Sequence, residues 1–222
     1  MSSRNEAPPA PIPRAARGSL SRTRILETAL QIADESGLEA LSMRRLGIEL
    51  GVEAMSLYNH VPNKAALLDG MVETILDEMP TPGPGGSSSE RLAEIARALR
   101  RALQAHPGAL PLFATRPAVT PASLRHVESA LGLLRGMGFS PDQSVSALQV
   151  LVTFVVGHTL SQVGSARGDD RSSPRYEELS PAEFPHVIEA AKGLATHDGE
   201  AEFAFGIDAL LIGLRKKSKP AR

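Results

Sequence analysis

The sequence predicts an all-α protein, and three observations lead to this. Apolar residues recur at helical spacing through most of the 222 residues, and no stretch of sequence alternates as a half-buried strand would. Serine or threonine precedes proline at Thr120, Ser140 and Ser180, where the hydroxyl can cap a helix that the proline starts. A proline- and glycine-rich stretch at 80–89 separates the helical patterns and divides the chain into two units.

The N-terminal unit is predicted to begin with a three-helix helix-turn-helix domain. Its first helix starts near Ser21 and stops at Gly37. The apolar residues of that helix share one face: Ile25, Leu26, Ala29, Ile32 and Ala33. Two short helices follow within residues 41–64, and a fourth helix begins after a cap at Asn63.

Residues 41–64 predict two short helices joined by a tight glycine turn, the layout in which the second helix enters the major groove of DNA. Gly47 leaves room where the helices cross, and Gly51 can adopt the positive φ of the turn. Four apolar residues are spaced to pack the two helices together: Leu46, Leu50, Val52 and Leu57. Hydrogen-bonding side chains are expected on the first turns of the second helix: Ser56, Tyr58, Asn59 and His60.

The C-terminal unit is predicted to hold five more helices. They cover residues 90–105, 120–136, 140–164, a stretch that begins at Ser180, and 199–217. Ser180 to Glu183 has the form of a full capping box, and residues 165–179 are predicted to be a polar loop. The domain boundaries expected from these patterns are 1–20, 21–79, 80–89, 90–217 and 218–222.

Charge is distributed unevenly, although the net charge is only −1. The first 24 and the last eight residues are basic, whereas the middle of the chain is acidic and repels phosphate. Residues 1–20 are predicted to be a disordered basic arm, with two interpretations open: a solvated tail, or an arm that grips DNA through Arg17 and Arg22. Residues 218–222 are a basic tail, which either keeps the chain soluble or complements a helix C-terminus.

Composition excludes several classes of protein. The chain has no cysteine, so it has no disulfide, and its N-terminus lacks the apolar core of a signal peptide. The most apolar run, 150–156, is far shorter than the ~20 residues that span a bilayer, so we expect a cytoplasmic protein without a membrane partner. Six histidines show no paired metal spacing and no nucleophile or phosphate-binding motif appears, so we expect no enzyme and no cofactor.

Two predicted helices are too apolar to lie at the protein surface with one side facing solvent. The first, at about 141–164, carries valine and leucine around a broad face, and the second, at about 199–217, carries phenylalanine, isoleucine and leucine. An apolar stripe wider than one core face predicts burial on two sides. Each of these helices should therefore have a further partner beyond its own domain.

Residues 57–64, Leu-Tyr-Asn-His-Val-x-Asn-Lys, closely resemble the recognition helix and fourth helix of the tetracycline repressor (TetR) family. The resemblance covers residues 21–79 without a gap. Further short matches to the ligand-binding half of the tetracycline repressor subgroup lie at 115–117 (Thr-Arg-Pro), 138–140 (Gly-Phe-Ser), 157–160 and 203–214.

The resemblance implies a homodimer that reads a palindromic operator, with the helices at about 141–164 and 199–217 forming a symmetric four-helix interface. It implies that Arg44 contacts a base edge and that Tyr58, His60 and Lys64 hold phosphates. The full set of expected DNA contacts is Ser42, Arg44, Ala54, Met55, Ser56, Tyr58, Asn59, His60 and Lys64, with Arg17 and Arg22 from the arm. Ala54, Met55 and Asn59 differ from the tetracycline repressor itself, so a different operator sequence is expected.

In the ligand-binding half, Pro80, Glu94 and Leu112 occupy the positions at which the tetracycline repressor holds magnesium and drug. We therefore expect no metal and no tetracycline. Candidate pocket residues are Phe113, Arg116, Phe139, Gln149, Phe154, His158 and Gln162. Ordinary core packing is the alternative for each, and Arg116 could instead be a structural residue that reaches back to the fourth helix.

The expected function is that of a ligand-responsive repressor, released from DNA by an unknown small-molecule effector and controlling an efflux or natural-product gene. The alternative is a DNA-binding regulator without an effector. The large second domain argues against this alternative, because reading DNA needs only the first ~80 residues.

Overall fold

The computed structural model describes residues 20–83, 85–166, 176–196 and 198–217, and all regular structure in these ranges is helical. The ten α-helices are α1 (Arg22–Ser36), α2 (Met43–Leu50), α3 (Ala54–Leu57), α4 (Lys64–Asp77), α5 (Ser88–Ala105), α6 (Leu110–Thr115), α7 (Pro121–Gly136), α8 (Pro141–Ala166), α9 (Pro185–Ala195) and α10 (Gly199–Lys217). The predicted all-α class is confirmed. Apart from Leu20, the expected basic arm lies outside the described residues, as does the tail at 218–222.

Side-chain caps start the helices of the N-terminal unit where the sequence predicts them. The Ser21 side chain accepts the N–H of Arg24 at the start of α1, and the Asn63 side chain accepts the N–H of Ala66 at the start of α4. Gly37 ends α1 with φ +82°. These local signals set the start of both helices and the end of α1.

The helix α4 packs against α1 on one side and against α5, α6 and α7 on the other, so it joins the two units. Its apolar residues Leu67, Met71 and Ile75 are fully buried. At the crossing with α1, a Cβ on Gly70 would stand 2.7 Å from the Leu26 side chain. The two helices therefore pack at close range within the N-terminal unit.

Two predicted helix starts are wrong. Residues 180–183 form a turn in which the N–H groups of Glu183 and Phe184 donate to the Ser180 carbonyl, and α9 begins only at Pro185. The α conformation is disfavoured for a residue that precedes proline. Phe184 therefore interrupts the predicted helix, and Pro185 starts a new one. Similarly, α5 begins at Ser88 rather than Glu90, because the capping box uses Ser87 with Glu90.

The structure adds α6, which the sequence analysis did not predict, and extends α8 to Ala166. The stretch Pro141–Gly164 of α8 is long and apolar enough, by length and composition alone, to cross a membrane. The short run at 150–156 therefore underestimates the apolar length of α8. In the structure α8 packs against α5, α6, α7 and α10, and 33% of its apolar stretch is buried.

Candidate DNA interface and effector-binding region

Two glycines set the angle between α2 and α3. Gly51 is left-handed, with φ +67° and ψ +35°, and its N–H donates to the Gly47 and Ile48 carbonyls at the end of α2. Gly47 lies at the crossing, where a Cβ would stand 2.9 Å from the Val52 carbonyl oxygen and 3.2 Å from the Ala54 nitrogen. A side chain at position 47 would therefore push α3 away from α2.

The predicted apolar contacts between α2 and α3 are confirmed. Leu46 and Leu57 are fully buried, Leu50 is buried, and Val52 is half-buried against the core. Because these side chains occupy the inner faces, the outer faces of both helices are left to solvent.

The predicted reading residues lie on this outer surface. Exposed side chains are Arg44, Met55, Tyr58, Asn59, His60 and Lys64, whereas Ala54 and Ser56 are half-buried. Met55 is 73% exposed, an unusual position for a large apolar side chain. Ser42 is also exposed, but its hydroxyl accepts the Arg45 N–H at 3.1 Å as the cap of α2. Contact between these residues and DNA stays a prediction.

One detail of the predicted reading helix is wrong. The α-helix ends at Leu57, so Tyr58, Asn59 and His60 lie in the turn that follows rather than within the helix. In that turn the His60 N–H donates to the Leu57 carbonyl at 3.0 Å. Val61 precedes a proline, which disfavours the α conformation and stops the helix from continuing into α4.

Of the two arginines predicted to grip DNA, Arg17 lies outside the described residues and Arg22 is the first residue of α1. The Arg22 guanidinium donates to Glu73 Oε1 at 2.8 Å and so links α1 to α4. Burial acts to raise the pKa of Glu73, but hydrogen bonds from Arg22 and Thr120 outweigh it and hold the pKa below its usual value. The structure thus gives Arg22 an internal partner, and a DNA contact from it stays a prediction.

The structure places the seven predicted pocket residues in several parts of the C-terminal unit, and their binding of a ligand stays a prediction. Phe139 is buried in the core and Phe113 is half-buried against it. Gln149 is exposed and lies in a groove between α8 and α10. The Gln162 side chain lies against Gly199, at the start of α10.

Arg116 has the structural role that the sequence analysis offered as its alternative. Its Nε and Nη2 donate to Asp69 Oδ1 at 2.9 and 2.6 Å, and Nη2 also approaches the Ala65 carbonyl at 3.3 Å. Arg116 follows α6, whereas Ala65 and Asp69 lie in the first half of α4. The guanidinium therefore ties α4 to the C-terminal unit.

An aromatic cluster fills the space between α8 and α10. Phe154 stacks on Phe203 with 5.6 Å between ring centroids, and the His158 ring lies 5.8 and 5.2 Å from these two rings. The Arg100 guanidinium stands 4.6 Å from the centre of the Phe203 ring and pairs with Glu200 at 2.6 Å. His158 is thus a packing residue, whereas Phe154 packs in this cluster and also lines the groove between α8 and α10.

The sequence analysis did not single out Arg100, whose side chain is only 7% exposed. A signal was available, because Arg100 falls one turn from Ala96 and Leu103 on the apolar face of α5. A charged residue at such a position usually has a specific partner. Its hydrogen bond to Glu200 holds the pKa of that carboxyl below the usual value.

A cleft of about 350 Å³ lies between the end of α4, α5 and α7. Its lining includes Asp77, Met79, Pro80, Ile95, Arg125 and His126. Of the three positions compared with the tetracycline repressor, Pro80 lines this cleft, Glu94 is exposed and Leu112 is buried in the core. A second, more open groove of about 710 Å³ lies between α5, α10 and three glycines, Gly83, Gly85 and Gly86.

Two family models match the chain. Residues 25–71 match the bacterial regulatory proteins of the tetR family, and residues 79–218 match the tetracyclin repressor-like C-terminal domain. The transcriptional repressor DrrR1 of Streptomyces coeruleorubidus is 32% identical, over 90% of this chain and 79% of its own length. The class G tetracycline repressor of Vibrio anguillarum is also 32% identical, over 89% of this chain and 94% of its own length.

Solved structures with the same fold include ActR of Streptomyces coelicolor, which is 32% identical. The complex of ActR with (S)-DNPA aligns with a TM-score of 0.79 and covers 90% of this chain and 98% of ActR. The complex with actinorhodin aligns with a TM-score of 0.75 over 89% and 97% of the two chains.

Proposed function

From the premise that the chain belongs to the TetR family and is a ligand-responsive transcriptional repressor, we propose that it binds a palindromic operator as a homodimer and leaves it when a small organic molecule occupies the cleft beside α4. It is a regulator and not an enzyme. It controls a gene for efflux or for the production of a natural product. It acts in the cytoplasm, where the DNA is. The observation that carries the proposal is that α4 joins the DNA-reading unit to the walls of this cleft.

The exposed edge of the N-terminal unit supports the assignment of DNA contacts. Arg44 projects from α2 and Lys64 from the start of α4, and both are exposed. A guanidinium near the reading helix suits bidentate contact with guanine, whereas an ammonium at the flank suits a phosphate. The predicted set of DNA contacts is retained, with Tyr58, Asn59 and His60 presented by the turn after α3.

Exposed apolar residues on α8 and α10 support the dimer. On these two helices the exposed large apolar side chains are Val145, Val150, Leu160, Phe205 and Ile212. A groove of about 550 Å³ between the helices is lined mainly by apolar atoms, Phe154 and Leu210 among its residues. An exposed apolar surface on two adjacent helices is best covered by the same surface of a second copy, which forms a four-helix interface with two-fold symmetry.

The cleft beside α4 suits the effector better than the groove near α10. Its volume of about 350 Å³ lies within the range of small-molecule sites, and its walls come from both units. ActR binds actinorhodin and (S)-DNPA, and by similarity we propose a small organic effector here too. The effector must bind the released state more tightly than the DNA-bound state, since equal affinity would shift nothing.

The test is selection of operators from a random duplex library with the full-length chain, followed by fluorescence anisotropy at several salt concentrations. We expect an inverted repeat whose half-sites lie about one helical turn apart. Arg44→Ala should cost ~1–3 kcal/mol at one base position and relax specificity there. Lys64→Ala should weaken all sequences alike and reduce the salt dependence by about one phosphate contact.

Selection of sequences without an inverted repeat would overturn the dimeric reading mode. Equal losses across all sequences for both variants would overturn the separate roles of Arg44 and Lys64.

A further inference from the structure

The C-terminal end of α4 meets two other elements at one histidine. His106 ends α5, and its Nδ1 lies 2.8 Å from Asp34 Oδ2 near the end of α1. Its Nε2 lies 3.2 Å from both carboxylate oxygens of Glu78, which caps α4. The imidazole is 19% exposed and thus lies between two carboxylates that belong to the DNA-reading side.

The backbone around this histidine is held closely. The Gly108 N–H donates to Asp34 Oδ1 at 2.9 Å, so Asp34 receives a bond from each side of the turn after α5. A Cβ on Gly108 would overlap the backbone carbonyl of Ala33. The end of α1 and this turn are therefore in direct backbone contact, which fixes the place of the imidazole.

This arrangement distinguishes the protonated imidazole from the neutral one, because the two forms carry different numbers of N–H donors. Neutral histidine carries one N–H donor and one lone pair, whereas the protonated ring carries two donors. With a carboxylate at each nitrogen, the neutral ring can satisfy only one of them and turns its lone pair toward the other. Only the imidazolium donates to Asp34 and Glu78 together.

We propose that His106 is a positioning residue that docks the DNA-reading unit onto the C-terminal unit when it is protonated and loosens this docking when it is neutral. Histidine is the side chain whose charge ordinarily changes between pH 5 and 8, and this sets the range over which the joint is tested. Docking and proton uptake are linked: lower pH favours the docked state, and higher pH favours the undocked state.

The charged groups that face the ring support this direction. Asp34 is the facing group on α1 and Glu78 on α4, and the turn Pro107–Ala109 carries no titratable side chain. On α5 itself, Arg101 lines a different groove, beside residues 80–83. Both contacting groups are thus acidic, and both favour the imidazolium.

Two further contacts attach α4 to the C-terminal unit. His126 Nε2 on α7 lies 3.3 Å from Asp77 Oδ1, beside Glu78. Arg116 holds Asp69 near the start of α4 through a guanidinium, which keeps its charge at all relevant pH values. When His106 is neutral, α4 keeps its attachment near its N-terminus, and its C-terminal end is held less tightly.

The test measures docking directly and needs neither DNA nor effector, so its failure would leave the proposed repressor function untouched. The chain has no cysteine, so two introduced cysteines can carry a donor and an acceptor dye. Glu39 is exposed on the reading unit, and Gly132 is exposed on α7 with open space at its Cβ. Chains with Glu39→Cys and Gly132→Cys are labelled, mixed with excess unlabelled chain and measured by time-resolved energy transfer.

We expect the ratio of docked to undocked molecules to rise about tenfold between pH 8.5 and pH 5.5. Tenfold corresponds to about 1.4 kcal/mol, close to the net contribution of a hydrogen bond to a charged group. The compared chains all carry His126→Gln, which removes the contact with Asp77, and in that background His106→Gln should abolish this pH response. Glu78→Gln should also abolish it but leave the protein docked at pH 8.5, because a neutral imidazole can then donate to Asp34 and accept from the new amide.

His186→Gln is the matched control, since His186 is 95% exposed and faces only Glu189 of its own helix at 3.9 Å. It should keep the full pH response. A distance distribution that is the same at both pH values in the chain with His126→Gln alone would overturn the proposal, and so would a full response in either His106→Gln or Glu78→Gln. Circular dichroism of each variant confirms that the compared proteins are folded.

Discussion

The contact between Arg116 and Asp69 offers the sharpest energetic test of how α4 is attached. Removing either side chain breaks two charge-assisted hydrogen bonds, of 2.9 and 2.6 Å, between α4 and the residue that follows α6. A hydrogen bond to a charged group contributes about 1.5–3 kcal/mol. Both donors share one oxygen, and the side chains are 27% and 20% exposed, so solvent screening reduces the sum. We expect a coupling free energy of about 1–2 kcal/mol.

The assay is a double-mutant cycle with Arg116→Ala, Asp69→Ala and the double variant, unfolded with urea at one protein concentration. Arg45 and Glu49 provide the matched control, since they are 4.0 Å apart and about half exposed on α2. The control cycle should give about 0.3–0.5 kcal/mol. A coupling free energy for Arg116 and Asp69 no larger than that of the control would refute the conclusion that this pair attaches α4.

Three further predictions concern the dimer, the acid range and the glycine turn. Phe205→Glu should convert dimers to monomers in sedimentation velocity, because Phe205 is 77% exposed on α10, whereas Phe184→Glu, in the turn before α9, should leave the dimer intact. The pKa of Glu73 is lowered in the folded state, so the contribution of its carboxylate to stability is present above the unfolded pKa and is lost as pH falls through the folded pKa. Glu73→Gln should therefore lower the melting temperature at pH 7, and the melting temperatures of variant and wild type should converge in strong acid. Gly51→Ala should cost about 1 kcal/mol in urea unfolding at φ +67°, whereas Gly132→Ala, in open space within α7, should be neutral or stabilising by up to about 1 kcal/mol.

Local signals were sufficient to predict most helices and the reading unit. Ser21, Asn63 and Thr120 cap helices with their own side chains, and Gly51 takes the left-handed conformation that the turn needs. Each of these signals acts over three or four residues, so the sequence alone contains it. The failure at Ser180 has the same origin, because a second local signal, Pro185, outweighs the first.

The contacts within the C-terminal unit could not be predicted in the same way. Phe154 and His158 share a helical face, which fits a cavity wall or a packed cluster equally well, and the packing of both rings against Phe203, distant in sequence, is seen only in the folded structure. His106 gave no signal at all, because its partners Asp34 and Glu78 lie 72 and 28 residues away. This contact forms only where the ends of α1, α4 and α5 meet in the folded structure.

The contacts that α4 makes are of two chemical kinds, apolar and charged. The helix α1 packs tightly against α4 at Gly70, and Leu67, Met71 and Ile75 of α4 are fully buried. Toward the C-terminal unit α4 also makes contacts through charged groups, Asp69 with Arg116 and Glu78 with His106. Opening an apolar contact exposes surface at about 25 cal/mol per Å², whereas a partly exposed carboxylate that leaves its partner is hydrated again. We therefore expect the polar contacts of α4 to open more readily than its apolar contacts. In the proposed mechanism, an effector in the adjoining cleft shifts these polar contacts and so changes the spacing of the two reading heads.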